Sequence, residues 1–297
     1  MKKIIIAFGG NAISDPSKKE PVNLQIRKIE HAVSQLKPLV KRYQLIITHG
    51  NGSEIGNLLI QQEKSKDILT KMPLDTLDAM TQGQIGYWVQ QAIKNILQKN
   101  AVSVVTQILV DKKDPAFKKP TKPIGPYYSK KIFRNMIREL DGWRRVVPSP
   151  KPKKIIEIEG IKNLIKKGMI VIACGGGGIP VILKKGKLTG IEAVIDKDYA
   201  SENLATALKA EVLFILTDID YVYLNYGKKK QKALRKITVK EAIKYLKQGH
   251  FKEGSMKPKI EASIEFLKNG GKKVIISKIL SLEKALSGKT GTTITRY

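Results

Sequence analysis

The stretch Lys3-Ile4-Ile5-Ile6-Ala7-Phe8-Gly9-Gly10-Asn11 constrains this chain more than any other. A short apolar run dense in β-branched residues suits a strand buried on both faces, and such strands belong to parallel sheets covered by helices. The run stops on two glycines. Without a Cβ they let backbone N–H groups approach a ligand closely, and a strand, glycine turn and helix start together form an anion cradle. A single glycine pair after a strand is often only a turn. Here the pattern recurs, as Leu45-Ile46-Ile47-Thr48 leading into His49-Gly50-Asn51-Gly52 and as Met169-Ile170-Val171-Ile172-Ala173 leading into Gly175-Gly176-Gly177-Gly178. Three such turns are expected along one edge of a parallel sheet, where open α/β sheets bind ligands.

The rest of the chain alternates in the same sense. Ile26, Ile29, Val33, Leu36 and Val40 recur at helical spacing and predict a helix ending near Tyr43; Ile55, Leu58 and Leu59 predict a second, and 76–98 a longer third. A strand is expected over 102–110, and the alternation reads as βαβ crossovers. Between 111 and 152 the pattern breaks. Prolines at 115, 120, 123, 126, 148, 150 and 152, with a short polar helix expected over 132–140, describe an excursion from the sheet. The closely spaced Pro120, Pro123 and Pro126 stiffen it, so that it could project Lys122 as a lid.

The second half restarts the pattern. A short helix carries Ile161, Leu164 and Ile165, and a hairpin over 181–195 turns at Lys185-Gly186. Asp196-Lys197-Asp198 then opens a helix running to Leu208, where Asp198 is either a helix cap or a partner of the lysine. A buried strand covers 212–216, Thr238 and Glu241 form a capping box, Pro258 sits early in a helix stopped by Gly270-Gly271, and 274–276 reads as the last central strand.

Composition narrows the partners. The 297 residues carry 55 Lys+Arg against 26 Asp+Glu, a formal charge of +29. Such an excess fits either nucleic acid or small anionic substrates. The lysines are scattered over polar helix faces and are not interleaved with the aromatics that would stack bases, so no nucleic-acid partner is expected. No apolar stretch reaches the roughly twenty residues of a membrane span. Met1-Lys2-Lys3 leads directly into a strand, and a cytoplasmic protein is expected. The single Cys174 reads as a small buried residue at a strand end.

Several phosphate-binding classes are excluded. The Gly-x4-Gly-Lys-Ser/Thr pattern is absent, Gly9-Gly10-Asn11 lacks the third glycine and distant acidic residue of a dinucleotide site, and the protein-kinase signatures are missing. What remains is phosphoryl transfer by positioned cations. Lys197 flanked by two carboxylates is one candidate. Lys259, near a helix N-terminus where the dipole disfavours a cation, is another, tolerable where an anion binds.

Taken together, Gly9-Gly10-Asn11-Ala12, His49-Gly50-Asn51-Gly52, Met80-Thr81-Gln82-Gly83 with Ile85-Gly86-Tyr87-Trp88, the proline segment 120–126, Val146-Val147-Pro148-Ser149-Pro150, the four glycines, 192–198 and 249–259 resemble the carbamate kinases, a branch of the amino acid kinase family. The resemblance runs over nearly the whole chain. It implies a three-layer αβα sandwich with a mostly parallel central sheet, two lobes and a small protruding subdomain, assembled as a homodimer. Within one domain spanning 1–297, residues 1–160 would form the small-substrate lobe, 112–152 the protruding subdomain and 161–297 the nucleotide lobe. The implied reaction is reversible phosphoryl transfer between ATP and carbamate, with Mg2+ accompanying the nucleotide and no separate protein metal centre. It would serve ATP formation in arginine or purine breakdown.

By the same resemblance, Lys197 and Lys259 would bind the moving phosphoryl group, Lys122 would reach in from the subdomain, and Asp198 would organise the lysines. Gly9, Gly10, Asn11, Gly50, Asn51, Gly52, Gly175 and Gly176 would face the small substrate and phosphoryl group; Thr217, Asp218, Tyr223, Met256 and Lys259 would contact the nucleotide. His49 is expected to be structural or to touch substrate, because carbamate already carries its anionic oxygen and leaves no proton to move. The chain departs from the pattern at Ser53, where proline is usual, and in a shortened stretch before Trp143-Arg144-Arg145, which bears on the shape of the subdomain. Two other readings share these features: a related kinase with an acyl or phosphonate acceptor, and a nucleic-acid-binding protein on a retired kinase scaffold. Retention of Lys122, Lys197, Asp198 and Lys259 together opposes the second.

Overall fold

A computed structural model describes residues 1–10, 13–139, 141–278 and 282–297. The first half runs β1 (Lys2–Phe8), α1 (Val22–Ser34), β2 (Tyr43–His49), α2 (Gly52–Ser65), α3 (Leu74–Ala92), β3 (Ala101–Ser103), β4 (Gln107–Val110), β5 (Lys122–Tyr128), β6 (Met136–Glu139), β7 (Gly142–Val147) and β8 (Pro152–Ile155). The second runs α4 (Ile158–Lys166), β9 (Ile170–Ile172), β10 (Ile179–Lys184), β11 (Lys187–Gly190), α5 (Lys197–Ala207), β12 (Val212–Thr217), β13 (Val222–Leu224), β14 (Lys232–Leu234), β15 (Lys236–Thr238), α6 (Val239–Lys247), α7 (Met256–Lys268), β16 (Lys273–Lys278), α8 (Leu282–Leu286) and β17 (Thr292–Thr295).

Eight strands form the main sheet in the order β15-β17-β16-β12-β1-β2-β9-β3. Every pair is parallel except β16 with β17. Side chains of β1 alternate between its faces as the pleat requires. Ile4, Ile6 and Phe8 pack with Ile29 and Val33 of α1 and Val89 of α3, whereas Ile5 packs with Leu204 of α5 and Ile260 and Ile264 of α7. Two apolar layers thus flank the sheet, and the three-layer αβα sandwich is observed. Among the described residues, no helix is long and apolar enough to cross a membrane.

Several local expectations differ from the fold. Helix α1 ends at Ser34 rather than near Tyr43. Pro38 lacks an N–H and restricts the residue before it, so the segment continues as successive turns such as Leu39 N to Leu36 O. The strand expected over 102–110 is two strands in two sheets: β3 pairs with β9, while β4 pairs with β8 and β10. Between them the Gln82 side chain takes both backbone groups of Thr106, accepting its N–H at 2.8 Å and donating to its carbonyl at 3.1 Å. The polar helix expected over 132–140 is replaced by β6, paired antiparallel with β7; Leu140 lies outside the described residues. An isolated polar helix has no apolar stripe to stabilise it, whereas pairing satisfies its backbone. The hairpin closes at Lys185-Gly186 as expected but ends at Gly190. Strand β16 is not the last of the sheet, because β17 inserts between it and β15.

The excursion builds its own three-stranded sheet, β5-β7-β6, seated on α2. Contact there is backbone to backbone. A Cβ on Gly56 would stand 2.1 Å from Cα and N of Gly125, itself at φ +70°. Arg144 locks the same point by donating from Nε and Nη2 to the Gly125 carbonyl, at 3.1 and 2.8 Å. Gly56→Ala is therefore expected to destabilise the protein by about 1–3 kcal/mol, as overpacking does. It should also lower turnover by shifting Lys122 at the start of β5; unchanged urea unfolding and turnover would refute this account of the junction.

Candidate active site

The glycine turns converge as the strand pattern predicts. Strands β1, β2 and β9 are neighbours and parallel, so Gly9-Gly10, Gly50-Asn51-Gly52 and the turn at Gly175–Gly177 all lie at the carboxyl edge of one sheet. A Cβ on Gly9 would lie 2.9 Å from the carbonyl of Leu216 on β12, and one on Gly50 would lie 3.4 Å from the Gly10 nitrogen. Close strand packing thus requires glycine at the first position and leaves little room at the second. Asn11 lies outside the described residues.

Above this edge opens a cleft of about 480 Å3, lined on one side by the turns of β1 and β2 and by Gly176, and on the other by Lys122, Asp196, Lys197, Asp198 and Lys259. Helix α5 begins at the cleft. Its cap is Asp196, not Asp198: the extended Asp196 accepts the Asp198 N–H at 2.9 Å. This frees the Asp198 carboxylate to bridge two cations. Lys197 donates to Oδ1 at 2.5 Å, and Lys259, from the first turns of α7, donates to Oδ2 at 2.8 Å. Lys122 reaches across from β5 to Asp196 Oδ2 at 2.5 Å. A further bond fixes the start of α5 against the sheet, since the Ser201 hydroxyl meets both the Lys197 carbonyl and Thr48 Oγ1 of β2, each at 2.6 Å.

Electrostatics follow from this geometry. Burial opposes ionisation of Asp198, yet Lys197 and Lys259 outweigh it and hold its pKa well below the usual carboxylate range. Lys197 is pulled down by burial more than Asp198 restores it, and Lys259 beside it adds to the fall. For Lys259, burial is again the largest single influence, but Asp198 and Asp196 together raise its pKa. Within this cluster three lysines thus meet two carboxylates, leaving one positive charge in excess opposite the glycine turns. Such fixed charges, preorganised beside a reacting group, act on developing negative charge.

The floor carries a buried polar group with no obvious sequence signal. Asn51 Nδ2 donates to Asp78 Oδ1 at 2.5 Å and to Thr81 Oγ1 at 2.8 Å, both from α3. Burial raises the Asp78 pKa to about 8, against the lowering effect of Asn51. Next to it His49 donates Nδ1–H to the Gly50 carbonyl at 3.1 Å, while its buried Nε2 has no partner among the described residues. Burial pulls His49 down to about 4, so it stays neutral. These shifts act oppositely on stability. Between about pH 4 and 6.5 the unfolded His49 binds a proton that the folded one refuses, so its contribution rises with pH; folded Asp78 keeps a proton that the unfolded one loses, so its contribution falls up to about pH 8. Of these two groups only Asp78 acts from pH 6.5 to 8, at up to about 1.4 kcal/mol per pH unit. Urea unfolding should show this decline in the native protein and not in Asp78→Asn; an equal decline in both would refute it.

Of the residues singled out in the sequence, Gly9, Gly10, Gly50, Asn51, Gly52, Gly176, Lys122, Lys197, Asp198, Thr217, Asp218 and Lys259 line this cleft. Gly175 lies beneath it, against His49 and Gln82. Tyr223 stands off the walls on β13, edge-on to Tyr221, and Met256 begins α7 and packs against the core. Residues not anticipated include Lys278, Tyr127 and Arg144. Lys278 ends β16 at the same sheet edge as the glycine turns, a position that topology marks for ligands. Cys174 is buried at φ +52°, and burial raises its thiol pKa, so it is no nucleophile.

Comparison with known proteins agrees with this geometry. The family model of the amino acid kinase family matches residues 2–278. Carbamate kinase of Pyrococcus horikoshii is 44% identical over 99% of both chains, and that of Thermoplasma acidophilum 46% over 100% of both. Among solved structures, carbamate kinase from Giardia lamblia bound to AMP-PNP superposes with a TM-score of 0.90 at 39% identity, covering 99% of this chain and 98% of that one. N-acetylglutamate synthase from Neisseria gonorrhoeae, at 14% identity and a TM-score of 0.63, shares the fold alone. With this identity carried over the full length, the chain belongs to the amino acid kinase family and, within it, to the carbamate kinases.

Proposed function

We propose that the protein transfers a phosphoryl group reversibly between ATP and carbamate, giving ADP and carbamoyl phosphate. The observation that carries this reading is the pair Lys197 and Lys259 held on the single buried carboxylate of Asp198, opposite the glycine turns. A carbamate oxygen attacks the terminal phosphorus of ATP in line; the new P–O bond forms as the bond to the ADP oxygen breaks, and ADP leaves with the electron pair. No proton moves, in keeping with the neutral His49 buried beneath the cleft.

In this scheme the turns at Gly9-Gly10 and Gly50-Asn51-Gly52, with Asn11 and the Gly175-Gly176 turn, hold the small substrate and phosphoryl group. Lys197 and Lys259 cancel repulsion between two anions and stabilise the spread charge of the transition state. Lys122 adds a third cation when its bond to Asp196 gives way to substrate. Thr217 and Asp218 meet the nucleotide, whose base end extends toward Tyr223 and Met256. Mg2+ enters on the nucleotide's phosphates as part of the substrate, in its usual manner of keeping several waters and few protein ligands. Residues 1–160 then serve the small substrate, with 112–152 as a protruding subdomain, and 161–297 serve the nucleotide. A cytoplasmic homodimer that forms ATP during arginine or purine breakdown completes the reading.

The test is ATP formation from ADP and carbamoyl phosphate, followed by a coupled assay in both directions. Turnover with that pair is expected. No activity with it, while an acyl or phosphonate acceptor is phosphorylated, would replace carbamate as the substrate; no turnover together with salt-sensitive RNA binding that ATP competes away would replace the enzyme reading altogether.

A further inference from the structure

The floor of the cleft fixes one side chain in a single orientation. Asn51 is 2% exposed and lies on the cleft wall, at the turn that ends β2. The Thr81 hydroxyl donates its one hydrogen to the Asp78 carbonyl at 2.8 Å, so toward Asn51 it can only accept. The amide nitrogen of Asn51 therefore faces Thr81. Asp78 Oδ1 takes the other N–H. Gly176, at φ +65°, closes over the pair: a Cβ there would lie 2.2 Å from Asn51 Nδ2 and 2.3 Å from Asp78 Oδ1. Both donors of the amide are spent on α3, and the Gly176 turn packs closely over it. Its oxygen has no protein partner among the described residues, and unlike His49 Nε2 or Asp78 Oδ2 it is not sealed from the cleft.

We propose that Asn51 is the specificity-determining residue of the small-substrate site, its Oδ1 accepting an N–H of the substrate's amino group, with Thr81 and Asp78 as positioning residues that keep the amide turned that way. The lysine cluster and the backbone N–H groups of the turns recognise negative charge and would hold any small carboxylate or acyl phosphate alike. An acceptor at the floor beside the glycine turns adds what the lysines and backbone N–H groups lack, a means of distinguishing an amino group from a methyl or hydroxyl group. A methyl in that place leaves a polar oxygen unpaired as the site closes, and sites built around a substrate N–H discriminate strongly against analogues without one. This inference rests on the proposed reaction and deepens it.

The test compares carbamoyl phosphate with acetyl phosphate, in which methyl replaces amino, as phosphoryl donors to ADP in the full-length protein. The ratio of their kcat/KM values is the readout, because a general structural defect lowers both rates together. Asn51→Leu is expected to lower the ratio by at least about 10-fold. Thr81→Val, which lets the amide turn, should lower it several-fold, whereas Thr81→Ser, which keeps the hydroxyl, should restore it. Should Asn51→Leu fail to fold, the Thr81 pair decides the matter. A ratio unchanged in the Val variant, or equal losses on both donors, overturns the inference while leaving the reaction standing. A native protein that uses neither donor overturns the functional reading and this inference with it.

Discussion

Lys197→Ala is expected to lower turnover by about two to three orders of magnitude while moving the urea unfolding free energy by no more than about 1 kcal/mol. The two effects separate because the lysine is poorly accommodated as a structural element. Burial draws its pKa down in spite of a carboxylate at 2.5 Å, so its ammonium adds little to the folded state. Asp198 meanwhile keeps Lys259 at 2.8 Å and is not left unpaired. What is lost is a fixed positive charge opposite the glycine turns, where a phosphoryl group would carry its charge. The affinity for ADP should change far less than kcat, since the lysine acts on charge that spreads in the transition state. Unchanged turnover would remove Lys197 from the reaction. A matching loss of several kcal/mol in stability would make it a structural residue.

The sequence makes the sheet edge legible because its signal is local. A β-branched run ending on glycine states strand, burial on both faces and turn in a few residues, and three such runs proved to be adjacent strands. The capping box at Thr238 and Glu241 is read just as directly and is present. Elements that depend on distant partners are illegible. Strand β6 exists because β7 pairs with it, and the break between β3 and β4 exists because Gln82 reaches Thr106 from another helix. In the cleft, Lys122, Lys197, Asp198 and Lys259 come together from three elements far apart in the chain, and their resemblance to a known pattern was needed to group them. Within Asp196-Lys197-Asp198 spacing alone left Asp198 as either a helix cap or a partner of the lysine, and the cap falls on Asp196. Either aspartate can cap a helix, and only the backbone path into α5 decides. Asp78 had no signal, since an aspartate among polar residues of a helix reads as solvent-facing until the fold turns it inward.

Asp198→Ala is expected to be the most destabilising change in the cleft, at about 3–5 kcal/mol, the usual loss when one partner of a buried ion pair is removed. Lys197 and Lys259 would then face each other with no carboxylate between them, both largely buried. Asp198→Asn should cost nearly as much, although it keeps the shape, because the missing quantity is charge. The pH dependence has a definite sign. The folded pKa of Asp198 is depressed, so its contribution is fully present above the unfolded value near 3.8 and is lost as pH falls toward the folded one. Native and Asn variant should therefore converge in stability below that value and differ most at neutral pH. An anion can take the place of the carboxylate. Sulfate or inorganic phosphate should raise the Tm of the variant more than that of the native protein, by binding between the two freed ammonium groups. A loss below about 1 kcal/mol, or an equal response of both proteins to sulfate, would mean that the lysines do not depend on Asp198 and that the cleft keeps its positive charge by some other arrangement.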